Sequence, residues 1–274
     1  MNEKITIDLK GVPQTLLFPL IGRAKFSQES YSPIHDKKAI ELVASLNYDF
    51  DKLLSVTNVR QSTLFWMARA YHFDEAIKTY LKKHPKAVIV NLGCGLDTTF
   101  YRTDNGQLLW IDIDLPDVID LREKLLPPPN RVEYIKKSVL DFSWVDDIKQ
   151  FGNDVFFFAG GFFMYFKEDQ IKSIFSAIAN QFSNANLIFD NISPRGLKQA
   201  NEMLKKSNMQ DALLQWGIYD GKELEAWSSK IKVVSTFPYF KSIKSKYNFP
   251  LSFKIVMYFF DFFHKSGIIH LKFI

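Results

Sequence analysis

The sequence predicts a doubly wound α/β sheet, mostly parallel, and three observations predict it. From Lys86 onward, short apolar runs alternate with amphipathic stretches, β then α. The run AVIVNL at 87–92 is a short apolar stretch, as a strand covered on both faces should be. It ends in GCGLD, where Gly93 and Gly95 let the backbone turn tightly into the next helix. Right-handed crossovers then line the carboxyl ends of the strands along one edge.

The elements follow in order. Residues 1–85 read as a helical extension. Thr15 to Phe26 has apolar residues at helical spacing, and Asp36 can cap the helix that starts at KKAIELVASL. Residues 61–83 make a long amphipathic helix that Pro85 closes. Residues 86–191 form the core: strands at 87–92, 107–114, 131–137, 154–160 and 185–191, with helices after the second and fourth. Residues 192–230 are polar and helical, an insertion expected to act as a cap. In 231–274, strands at 232–240 and 267–274 flank the apolar stretch 249–263 and are expected to pair antiparallel at one sheet edge. The whole chain is read as one domain, because 274 residues fall between one and two typical domains.

Composition narrows the function classes. The 26 phenylalanines suit a large apolar core or pocket, and disorder is excluded by 47% apolar and 24% charged residues. The net charge of +5 is mild and reads as spread along the chain, without a basic block, so no nucleic-acid partner is expected. A lone cysteine, Cys94, excludes an internal disulfide and suits a reducing, cytoplasmic setting. The stretch 249–263 is too short to span a bilayer and reads as a buried or interfacial helix, so no integral membrane association is expected. The five histidines lack ligand spacing, so no metal is expected, and no GxSxG elbow is present.

The chemistry concentrates at the first turn. Asp112 and Asp114 lie 19 and 21 residues beyond Gly93, where an acid at the end of a second strand holds ribose hydroxyls. The third glycine of a dinucleotide fingerprint is replaced by Thr98, and no phosphate loop exists. The turn therefore suits a nucleoside without a pyrophosphate, such as S-adenosylmethionine. Arg69 interrupts the apolar run LFWMARA, where a guanidinium can pair with a carboxylate or carry its head out to water.

NLGCGLDTTFYR, WIDIDLPDVIDLR, SVLDFSW and GGFFMYF, in that order, resemble the leucine carboxyl methyltransferase-like family, in its bacterial branch of polyketide O-methyltransferases. FPLIGRAKFS, HDKKA and MARAYHFD extend the resemblance upstream to residue 18. It implies a class I methyltransferase fold, S-adenosyl-L-methionine as cofactor, and methyl transfer to a carboxylate or hydroxyl oxygen. It also implies roles. Gly93 and Gly95 contact the cofactor, and Asp114 holds its ribose, with Asp112 as second choice. Asp141 and Phe142 flank the adenine. Arg69 holds the methionine carboxylate, with Lys25 as a second cation. Gly160 stands where the family has a glutamate.

Tyr165, in the FMYF block after the fourth strand, and Trp216 are the candidates for contact with the acceptor, and segments 18–35 and 191–227 are the expected cover; no catalytic base is named. The expected acceptor is a small, hydrophobic metabolite. Two alternatives are a methyltransferase acting on a protein's C-terminal carboxylate and a nucleoside-binding protein without turnover.

Overall fold

The computed structural model describes residues 4–6, 14–55, 59–206, 212–263 and 266–274. Four helices come first: α1 (Leu17–Phe26), α2 (Lys37–Ser45), α3 (Phe50–Ser55) and α4 (Val59–Leu81). Asp36 caps α2 as expected, accepting the Ala39 amide at 2.9 Å. Then β1 (Val88–Leu92), α5 (Thr99–Thr103), β2 (Leu109–Asp114), α6 (Pro116–Leu125), β3 (Val132–Lys136), α7 (Trp144–Lys149), β4 (Val155–Ala159), α8 (Glu168–Gln181) and β5 (Asn186–Asn191) alternate. The short helices α3, α5 and α7 were not expected; each is six residues or fewer, below the length at which periodicity is readable.

The polar insertion opens with α9 (Pro194–Lys206) and continues as irregular chain into a 3₁₀ turn at Gly221–Trp227; its residues 207–211 lie outside the described residues. The chain ends with β6 (Ile231–Pro238), α10 (Ile243–Lys246), α11 (Leu251–Phe263) and β7 (Gly267–Phe273).

The sheet order is β3-β2-β1-β4-β5-β7-β6. Strands β1 to β5 are parallel, and β7 runs antiparallel between β5 and β6. The expected edge pair therefore exists, with the later strand inserted inside the earlier one. Strands β1 and β4 are buried along their whole length, which their continuous apolar sequence requires. One core layer packs α7, α8 and the insertion's Trp216 and Leu224 on the sheet. The other packs α4 and α11 on the opposite face. Helices α1 and α2 form a third apolar cluster with Leu96 and α6. The amino-terminal helices are thereby packed directly against the turn that follows β1.

The central β7 residue His270 faces this interior. Burial holds its imidazole down to about 4, below the usual 6.5. The unfolded chain takes up the proton near the ordinary value, the folded chain only at the lower one. Stability present above that ordinary value is therefore lost as pH falls through this interval, and no further loss from this group follows below it. In His270→Gln, a neutral amide can still reach Asn186, which the ring now meets at 3.0 Å. Urea titrations across the interval should show the parent losing on the order of 2–3 kcal/mol more than this variant.

Candidate active site at the carboxyl edge of the sheet

The turn after β1 is built from backbone groups that are already paired. Gly93 and Gly95 adopt φ of +69° and +47°, the left-handed region. The amides of Gly93 and Cys94 both donate to the Ile113 carbonyl at 2.9 and 3.2 Å. The Gly95 amide donates to Asp114 Oδ2 at 2.8 Å. Three successive amides thus face β2 instead of forming the outward nest that cradles a phosphate. A β-carbon on Gly93 would fall 2.1 Å from the ring of Phe162, which covers this glycine.

Arg122 of α6 fixes the turn from below. Its guanidinium donates to Asp112 Oδ2 at 2.7 and 3.1 Å and to the carbonyls of Gly95 and Asp97 at 3.0 and 2.8 Å. The Trp110 indole donates to the other Asp112 oxygen at 2.8 Å. Asp112 is wholly buried by these partners, so of the two candidate acids only Asp114, partly exposed at the strand end, presents an edge to a ligand. Burial pushes the Asp114 carboxyl up, and the amides of Gly95 and Leu115 work in the other direction. Cys94 is buried, and burial together with Asp112 pushes its thiol well up, so it stays protonated inside the turn.

The helical extension reaches the same turn through Asp36. This buried carboxylate accepts from Arg23 at 3.0 Å, from the Thr98 hydroxyl at 2.6 Å, and from Arg102 at 2.5 Å. Arg23 also donates to the Leu96 carbonyl at 3.0 Å, and Arg102 pairs with Asp74 of α4 at 2.8 Å. Lys25, two residues after Arg23, is half exposed and lies 3.9 Å from Asp51.

A second buried network stands beside the ends of β4 and β5. Arg69 donates to Asp190 Oδ2 at 3.1 Å, Tyr239 donates to the same oxygen at 2.8 Å, and the Gly161 amide donates to Oδ1 at 2.6 Å. Burial opposes the Arg69 charge, but Asp190 and the Tyr239 oxygen outweigh it and keep the guanidinium protonated. A β-carbon on Gly160 would meet Phe73 at 3.1 Å and Arg69 Nε at 3.4 Å; on Gly161 it would lie 2.4 Å from Arg69 Nη1. These two glycines make the space that Arg69 occupies.

Tyr165 joins this second group: burial and Asp190 push its phenol up, with Arg69 in opposition. The insertion grips the Tyr165 segment, because the Gln215 and Trp216 amides donate to the Met164 carbonyl at 2.7 and 3.3 Å. Trp216 itself is a buried core residue packed on Phe189 and Trp227. Asp141 and Phe142 lie exposed after β3, and Asp141 accepts the Ser143 amide at 3.1 Å. Gly93 and Gly95 follow β1, Asp114 ends β2, Asp141 and Phe142 follow β3 and Tyr165 follows β4, while Arg69 of α4 stands against Gly160 and Gly161; Lys25 lies on α1 beside Asp51 and Trp216 in the core. Sequence reading missed Arg23, Arg122, Asp190 and Tyr239. Asp190 was findable, since it stands at the end of a strand in an otherwise apolar run; the others become legible only through their partners.

The family pattern for leucine carboxyl methyltransferase matches residues 20–179. The chain is 31% identical over 224 residues, 81% of its length and 80% of the relative's, to the tetracenomycin polyketide synthesis O-methyltransferase TcmP of Streptomyces glaucescens. It is 28% identical over 200 residues, 68% of this chain and 66% of the relative, to the S-adenosyl-L-methionine-dependent methyltransferase dpfgK of Gibberella zeae. A methyltransferase-type crystal structure from Thermobifida fusca superposes with a TM-score of 0.57 over 96% of this chain and 98% of that one, at 12% identity, which is a likeness of fold.

The Arg122 clamp generates a prediction. Arg122→Met leaves Asp112 buried without its cation and should cost about 3–5 kcal/mol in urea unfolding. Adding Asp112→Leu removes the stranded charge and should recover part of that loss, although the turn carbonyls remain unpaired.

Proposed function

The chain belongs to the leucine carboxyl methyltransferase family, and on that premise we propose that it methylates an oxygen, carboxylate or hydroxyl, of a small hydrophobic metabolite. That it is an S-adenosylmethionine-dependent methyltransferase follows from the family. The TcmP relative, an O-methyltransferase of polyketide synthesis, supports an oxygen acceptor.

The observation that carries the cofactor assignment is the turn after β1. Its amides point into β2, so it offers no cradle for a pyrophosphate. It offers instead a half-buried carboxylate at the strand end, suited to a vicinal diol. When bound, the cofactor supplies an electrophilic sulfonium methyl group. In this reading Asp114 accepts from the ribose hydroxyls. Asp141 accepts from the adenine amine and Phe142 packs on the ring. Arg69 receives the methionine carboxylate, with Lys25 on the outer side, and Gly93 and Gly95 hold the left-handed turn against which the cofactor lies.

The positioning of Arg69 supports this part of the proposal. A long guanidinium would otherwise sample many rotamers. Asp190, held by Tyr239 and the Gly161 amide, fixes it from one side. A carboxylate at position 160 would stand against Arg69 Nε and compete with Asp190. Glycine there leaves that job to β5.

Methyl transfer from a sulfonium demands alignment and exclusion of water more than strong base. A carboxylate acceptor needs no base at all. Tyr165, kept protonated by its burial and by Asp190, suits donation to the acceptor oxygen more than proton removal. Trp216 contributes by holding the Tyr165 segment in place.

Calorimetry should show S-adenosylmethionine binding and no NAD binding. Asp114→Ala should weaken the cofactor by about 1.5–3 kcal/mol, the loss of a charged hydrogen-bond acceptor; undiminished affinity in a folded variant removes the ribose role.

Arg69→Met, made together with Asp190→Asn so that no buried charge is stranded, should weaken S-adenosylmethionine but leave adenosine binding nearly unchanged. Transfer of a labelled methyl group to small-molecule extract tests the acceptor class. Label appearing only on protein would replace the metabolite reading with a protein carboxylate.

A further inference from the structure

Residues 239–274 contain six lysines, no arginine and a single acid, Asp261. Their net charge of +5 equals that of the whole chain, so the preceding 238 residues balance to zero. The positive excess is therefore not spread along the sequence, as its composition suggested: it falls in this segment, where Lys241, Lys244, Lys246 and Lys254 lie on one helix or the stretch leading into it, while Lys272 lies on β7.

That helix is α11, and it has two apolar faces. The inner face buries Phe253 and Met257, and Phe260 packs on Phe65, Tyr239 and Phe240. The outer face carries Leu251, Ile255, Tyr258, Phe259, Phe262 and Phe263, each between 49% and 74% exposed. Their spacing puts all six on one stripe of the helix. Within it Tyr258 stacks on Phe262 and Phe259 on Phe263, with interplanar angles of 7° and 6°.

The rim of this stripe is positive. Lys244 and Lys254 border the groove formed by Ile255, Tyr258 and Phe259. Lys241 and Lys246 lie exposed on the adjoining segment, Lys246 donating to the Tyr71 hydroxyl at 2.9 Å and lying 3.9 Å from Glu75 of α4. The one acid of this segment, Asp261, is largely buried and occupied: it accepts the Phe240 amide and pairs with Lys244 at 3.1 Å. An apolar row this continuous on an exposed face marks an interaction surface.

We propose that α11 docks the protein peripherally on an anionic lipid surface, with its aromatic stripe at the headgroup boundary and its lysines on the acidic headgroups. This inference stands independently of the acceptor assigned above. The charge selects the occupant. A second copy of the chain on this face would bring two lysine rims together, which repel. An anionic bilayer complements the rim and offers hydrocarbon to side chains that, tyrosine apart, have no polar group. The geometry also sets the mode of attachment. Thirteen residues make about 20 Å of helix against a hydrocarbon layer of about 30 Å. Among the described residues no helix is long and apolar enough to cross a membrane. An amphipathic helix of this kind lies in the interface plane.

The test is co-sedimentation of the full chain with vesicles of phosphatidylcholine alone or mixed with phosphatidylglycerol, at low and raised salt. Binding to the mixed vesicles, weakened by salt and small on phosphatidylcholine, is expected. Phe259→Ser with Phe262→Ser should lower vesicle affinity by about tenfold or more, with an unchanged melting temperature, because both rings are already exposed. Lys254→Glu should lower affinity for the mixed vesicles by roughly fivefold or more and leave the weak phosphatidylcholine binding unchanged. Absence of binding to the mixed vesicles overturns the proposal, as does equal binding to both kinds. A dimer in sedimentation velocity that the Phe259/Phe262 variant dissociates also overturns it, in favour of a second copy.

Discussion

A single guanidinium closed against a single carboxylate supports the candidate site. Arg122 and Asp112 are both almost fully buried, and each would be costly alone. Together they neutralise each other, and the remaining guanidinium hydrogens take the carbonyls of Gly95 and Asp97. Those carbonyls would otherwise be unpaired in a turn packed under helices. The pair thus joins the second strand, its following helix and the turn after the first strand into one unit. The path of that turn, and with it the inward direction of its amides, depends on this contact.

The same logic recurs twice around the edge of the sheet. Asp36 gathers Arg23, Arg102 and Thr98, and so ties α1, α2 and α5 to the turn. Asp190 gathers Arg69, Tyr239 and the Gly161 amide, and so ties α4, β5 and the end of β6 together. Each carboxylate is buried with a partner from a distant part of the sequence. The helical extension is consequently joined to the turn after β1 by charge as well as by apolar packing.

Most of the fold was legible because its signals are local. The short apolar runs became β1 to β5 within a residue or two at each end, and the expected late strands paired at one edge. What escaped is relational. Lys25 was singled out as the cation of GRAK, yet Arg23 is the one turned inward. Two residues on a helix are separated by roughly 200° of rotation, so the two cations face opposite ways, and the motif alone does not say which is inside. Arg122 reads as an ordinary charge on an amphipathic helix until its aspartate ten residues earlier is placed under it. Asp190 and Arg69 lie 121 residues apart, beyond any pattern in a window. Trp216 illustrates the converse: an aromatic in a cover segment can serve either a pocket or the core, and here the ring packs against Phe189 and Trp227.

The strand order carries a consequence for how the protein is made. β7 lies between β5 and β6 and supplies hydrogen bonds to both. During synthesis the ribosome releases β5 well before the segment at 267–273, and until that segment emerges β5 presents an open edge. Such an edge is a template for pairing with other nascent chains. The interval between the two strands is filled by α9, the 3₁₀ turn, β6, α10 and α11, so the vulnerable period spans the synthesis of residues 192–266. A ribosome that stalls in that stretch leaves behind a nearly complete core with a sticky margin. For this fold the danger in biosynthesis is concentrated between β5 and β7, where slow codons would prolong the exposure of that edge.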